Sequence, residues 1–149
     1  MRIAPCLLAL AAGFLAVSCS PYQRDFRQAV AAAQGRHADP TGPWKGTWHS
    51  VPSGHDGPLW CIITETPGRA GSYDFRYRAG WGILNFGDYT HTVPVKRRPG
   101  GALGVTGSME LPAAVGTYSL DGMVTNDRFD AKYTSTKGDH GTFTLRRPE

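Results

Sequence analysis

The sequence predicts an all-β domain: an eight-stranded antiparallel up-and-down β-barrel, with a two-sheet β-sandwich as the alternative. Two observations carry this. From Trp44 onward apolar residues recur with a period of two, most clearly in Tyr73-Asp74-Phe75-Arg76-Tyr77-Arg78, whose aromatics take one face and whose charges take the other. Turn formers interrupt this pattern at regular intervals, as in Pro67-Gly68-Arg69-Ala70-Gly71, Pro99-Gly100-Gly101, Thr125-Asn126-Asp127 and Lys137-Gly138-Asp139. Glycine permits positive φ there, and asparagine and aspartate bond their own backbone. Short strands joined by near-neighbour turns can close on themselves, which removes the exposed edges of an open sheet.

The first 18 residues read differently. Met1-Arg2 forms a minimal positive segment, and Ile3 to Val17 is nearly all apolar. That run falls short of the roughly 20 residues that span a bilayer. It ends in Leu15-Ala16-Val17-Ser18-Cys19. Small residues before a cysteine at the end of a short apolar run resemble a bacterial lipobox. The resemblance implies cleavage before Cys19 and lipid on that residue. It also implies anchoring in the bacterial cell envelope, with Ser20 pointing to the outer membrane. Several acyl chains hold a protein firmly where one holds it marginally. Cysteine usage fits export. With Cys6 removed and Cys19 lipidated, Cys61 stands alone and no internal disulfide forms.

Residues 19–42 form a tether. Tyr22, Phe26 and Val30 make a narrow apolar stripe in an alanine-rich run, predicting a helix over 22–34 that stops at Gly35. So short a helix is marginal alone. It is expected to be a loosely structured spacer, with docking on the barrel or on a membrane as the alternatives. The barrel domain follows over 43–149, with strands expected at 44–50, 58–66, 72–79, 86–95, 102–110, 117–124, 128–135 and 140–147.

The first strand carries two Gly-x-Trp units, Gly42-Pro43-Trp44 and Gly46-Thr47-Trp48, and the last ends in Arg146-Arg147. A Gly-x-Trp on the first strand of an eight-stranded meander, with an arginine on the last, resembles the calycins, the group of lipocalins and avidins. The resemblance implies that Trp44 closes one end of the barrel with Arg147 packed across it and Trp48 further in. It also implies carriage of a small apolar ligand inside. The aromatic load expected inside (Trp44, Trp48, Tyr73, Phe75, Tyr77, Tyr89, Phe129, Tyr133 and Phe143) points to a barrel that is filled or nearly so.

Strand parity sorts the polar residues. One end, shared with both termini of the barrel, collects Lys45, Arg69, Lys96, Arg97, Arg98, Arg128, Arg146 and Arg147, a basic rim expected to face the membrane. The other collects His49, His55, Asp56, Asp139 and His140, a candidate metal or acid/base site, since imidazole and carboxylate suit a zinc-like ion and histidine titrates near neutrality. His91 and Cys61 are expected on the inner face as a hydrogen-bonded core histidine and a buried apolar residue. The net charge is +4, and loss of Arg2 leaves 15 basic against 12 acidic residues. That mild excess suits an anionic surface, and nucleic acid is not an expected partner of an anchored, exported chain. No catalytic motif and no cofactor signature stands out. The leading expectation is therefore a lipid-anchored, non-enzymatic module for an envelope protein or cell-wall polymer. Carriage of a small apolar ligand comes second, and a site built on the loop histidines third.

Overall fold

The computed structural model describes residues 20–33, 39–111 and 115–149. One helix, α1 (Pro21–Ala32), precedes β1 (Gly42–Ser50), β2 (Asp56–Glu65), β3 (Ser72–Trp81), β4 (Leu84–Arg97), β5 (Leu103–Glu110), β6 (Thr117–Val124), β7 (Arg128–Ser135) and β8 (His140–Arg146). Each strand pairs antiparallel with the next, and β1 pairs with β8 to close the barrel. The expected fold is the observed one. The expected signal segment, the lipobox-like stretch and Cys19 lie outside the described residues.

The strands alternate as their sequences do. Trp44, Cys61, Ile63, Phe75, Val93, Val105, Val124, Phe129 and Leu145 point inward and are buried at the end where β1 begins and β8 finishes. Full burial of such side chains contributes roughly 1.5–3 kcal/mol each, so this closed half is where most of the stabilisation sits.

The strands β3 and β4 run further than the sequence suggests. They meet in a two-residue turn, Gly82-Ile83, flanked by the pair Trp81 and Leu84. Gly82 has φ 56°, which glycine adopts freely at the first position of such hairpins. Lower down, Tyr77 pairs with Tyr89 but Ala79 pairs with Phe86, so β4 carries one extra residue there. Gly87, at φ 80°, absorbs this bulge. The bulge turns Phe86 onto the inner face, against the parity of the rest of β4.

The seam between β4 and β5 is short. Val95, Lys96 and Arg97 pair with Val105, Gly104 and Leu103, and the ladder stops there. Pro94 accounts for the stop. The Val95 N–H donates towards β3, to Gly71 at 2.9 Å. By alternation the next position that should donate towards β5 is residue 94, and proline has no N–H. Above it, the buried His91 ring lies against Gly107 of β5.

The helix is docked rather than loose. Ser20 caps it and Pro21 occupies its first turn. Tyr22 is fully buried against the outside of the barrel, and its hydroxyl donates to the Arg76 carbonyl at 3.1 Å. The Arg76 guanidinium lies 5.0 Å from the Tyr22 ring centroid, and it bridges Asp25 of the helix (2.8 Å) and Asp88 of β4 (2.5 and 2.7 Å). The hydrogen bond from Arg76 holds both carboxyls below their ordinary range. A short helix that is marginal alone is thus held by tertiary contacts. Its first turn lies beside Arg76, at mid-height on β3, while Ala33 returns to Gly42 at the closed end.

Candidate functional site

The open half of the barrel, opposite the chain ends, is hollow. A cavity of about 760 Å³ opens there, lined mainly by aromatic and aliphatic side chains. Its walls include Trp48, Tyr77, Phe86, Tyr89, Tyr133 and Phe143, with Leu59, Met109 and Leu120 between them. The expectation of a filled barrel therefore holds for the closed half and fails for the open one. The physical reason is where the aromatics go. Trp44, Phe75 and Phe129 pack edge to face in the closed half (Trp44–Phe129 6.2 Å, Phe75–Phe129 5.7 Å). The open-half rings instead lie along the walls. The Trp48 indole donates to the Gly80 carbonyl at 3.0 Å and meets Phe86 edge to face at 6.1 Å.

The floor separates the two halves from solvent below. Trp44 is fully buried, and its indole N–H donates to the Pro40 carbonyl at 2.9 Å. The Arg147 guanidinium sits 4.0 Å from the Trp44 ring centroid. It donates to the carbonyls of Asp39 (2.7 Å), Thr41 and Asn126 (3.4 Å), tying the strand ends together.

The mouth holds a polar network. The Asp139 carboxylate accepts the Ser50 hydroxyl at 2.6 Å and the Tyr118 hydroxyl at 3.1 Å, and Ser53 donates to Ser50 at 3.0 Å. Ser50 is itself buried. Burial and the Asp139 charge push the Tyr118 phenol up, and the Tyr133 phenol is pushed up to about 12. Outside the mouth the surface turns apolar. Ile83 is 98% exposed at the β3–β4 turn, with Trp81, Leu84 and Val51 also exposed.

The histidines separate. His49 points outward between Asp56 and Thr142, and Asp56 is exposed beside it. His55 stacks on Trp81, ring centroids 4.5 Å apart. His140 turns back to the Gly138 carbonyl at 3.2 Å. Of the five loop residues, Asp139 alone lines the cavity. Among the described residues no three His, Cys, Asp or Glu side chains gather closely enough to hold a metal ion.

At the closed end Arg69, Lys96, Arg97, Arg98, Arg128 and Arg146 are all exposed. Cross-strand register sets Arg128, Arg146 and Lys45 in a row over β7, β8 and β1. The rim is not uniformly basic, because Arg128 is paired with Asp130.

Ser50, Tyr118 and Phe86 are site residues the sequence reading missed. Tyr118 shares parity with buried Leu120, which is a usable signal. Phe86 carries none, since the bulge inverts its parity. Inside, Cys61 is fully buried, which pushes its thiol up and away from nucleophilic use.

His91 is buried, and burial lowers its imidazole below the ordinary value of 6.5. The unfolded chain therefore takes up this proton first as pH falls. Its contribution to stability is complete above pH 6.5 and declines as pH drops from there towards the lowered native value. His91→Gln, which keeps a polar side chain and removes the titrating ring, is expected to flatten that part of the stability–pH curve in urea titrations. A slope unchanged in the variant would place the titration elsewhere.

No protein-family model, no characterised protein and no solved structure matches this chain.

Proposed function

We propose that the protein is a lipid-anchored lipoprotein of the bacterial envelope whose calycin-like barrel binds a small apolar ligand in its open half. The observation that carries this is the 760 Å³ aromatic-lined cavity. Ligand pockets have volumes of roughly 300–1,000 Å³, apolar walls and a few convergent polar groups, and this cavity has all three. The lipobox ending at Cys19 supports the anchor and an outer-membrane address. A filled barrel would favour a purely structural or partner-binding module, and the open half removes that argument. The exposed apolar turn of Trp81, Ile83 and Leu84 supports a second reading, in which an envelope protein or cell-wall polymer docks beside the mouth.

Calorimetric titration with 2-naphthalenemethanol, a neutral apolar probe, tests the ligand reading. Saturable binding to the wild-type chain is expected. Ala79→Trp, which places an indole in the cavity, is expected to abolish it while the far-ultraviolet spectrum stays that of a folded barrel. No binding to the wild type of this probe or of charged probes of its size, or binding undiminished in the folded variant, overturns the reading.

A further inference from the structure

Among the described residues the mouth of the cavity carries a carboxylate that no cation meets in an ion pair. Asp139 is partly buried on the cavity lining. Among the described residues no lysine, arginine or histidine forms an ion pair with it. Its partners are two neutral hydroxyls, Ser50 and Tyr118. An ionised carboxylate offers about four acceptor sites, so two donors leave it room for more. Charges drawn away from water are ordinarily paired.

Aromatic side chains share the lining with this carboxylate, and Tyr118 meets it through its hydroxyl. The Tyr118 and Tyr133 rings lie 5.8 Å apart at an interplanar angle of 31°, and both line the cavity. Both phenols are shifted upward, so they remain neutral at physiological pH. Ring faces carry partial negative charge and attract cations. Lys137 is the cation on the lining, and its aliphatic stem lies along Gly116. An anionic ligand would have to face Asp139, and a neutral one would bring it no counter-charge.

We infer that the ligand is a cationic amphiphile: an apolar, aromatic-sized body in the cavity and one ammonium group held at Asp139 beside Tyr118 and Tyr133. The inference rests on the reading of the cavity as a ligand site, and it names the ligand's charge.

Three probes of one size separate the two ideas: 2-naphthylmethylammonium, 2-naphthalenemethanol and 2-naphthoate, each titrated calorimetrically into the full chain in nanodiscs of neutral lipid. The ammonium is expected to bind about tenfold more tightly than the alcohol at low salt, and the naphthoate most weakly. Asp139→Asn keeps an acceptor for Ser50 and is expected to level ammonium and alcohol. If the variant does not fold, salt replaces it: rising ionic strength should weaken the wild type's hold on the ammonium and not on the alcohol. Alcohol binding with no ammonium preference overturns this inference and leaves the cavity reading standing. So does naphthoate binding most tightly, or a preference that survives both Asp139→Asn and high salt. Failure of all three probes overturns both.

Discussion

Trp44→Ala is expected to lower the unfolding free energy by about 3–5 kcal/mol, the range for large aromatic truncations in a packed core. The indole is fully buried at the closed end and packs edge to face on Phe129. Alanine leaves a cavity bounded by strands that are hydrogen-bonded on both sides, so collapse into it is restricted. The loss extends beyond packing. The Pro40 carbonyl loses its indole donor, and Arg147 loses the ring beneath its guanidinium. That guanidinium also bonds the carbonyls of Asp39, Thr41 and Asn126, so it holds the chain before β1 against the β6–β7 turn. Urea unfolding followed by circular dichroism checks this. A destabilisation under about 1 kcal/mol would mean that the floor relaxes freely, against the density of protein interiors. Ligand binding at the open end is expected to persist in any folded fraction, because Trp44 does not line the cavity.

Gly46→Ala is expected to be as damaging, on the order of 3 kcal/mol or more, through added atoms instead of lost ones. A Cβ at residue 46 would lie 1.9 Å from the Thr144 carbonyl oxygen and 2.9 Å from the Leu145 Cα. Both neighbours are backbone of β8, so no side-chain rotation relieves the overlap, and β1 must separate from β8. That pairing closes the barrel. The same seam has a second close approach, where a Cβ on Gly141 would lie 1.8 Å from the His49 carbonyl oxygen. Thr47→Ala, one residue along β1 and exposed, serves as the control and is expected to stay within about 0.5 kcal/mol of wild type. Equal stability of Gly46→Ala and Thr47→Ala would show that the seam is loose.

These two substitutions fall on neighbouring members of one short string, Trp44-Lys45-Gly46-Thr47-Trp48, and together they assign it. Trp44 seals the floor, Gly46 lets the first and last strands approach, and Trp48 lines the cavity above. The double Gly-x-Trp was conspicuous as sequence. Its role in closing the barrel follows from placing Arg147, more than 100 residues later in the chain, over its first tryptophan.

Alternation and turn chemistry are local properties, so the sequence alone determined the all-β class, the eight strands and their order, and the inward face of most of them. It also marked the stripe of Tyr22 and Phe26 and the inward position of His91 and Cys61. Whether the stripe docks depends on Arg76, Asp25 and Asp88 converging from separate elements, which no local pattern announces. Phe86 reaches the cavity through a bulge that shifts parity by one residue. The hollow itself is a difference between the volume eight strands enclose and the volume their side chains occupy, half by half. A count of aromatics gives their total size and not their directions. The five polar loop residues looked like one group because parity sends them to one end. Parity does not fix where each side chain turns, and only the closed barrel set Asp139 on the cavity lining and the three histidines outside it.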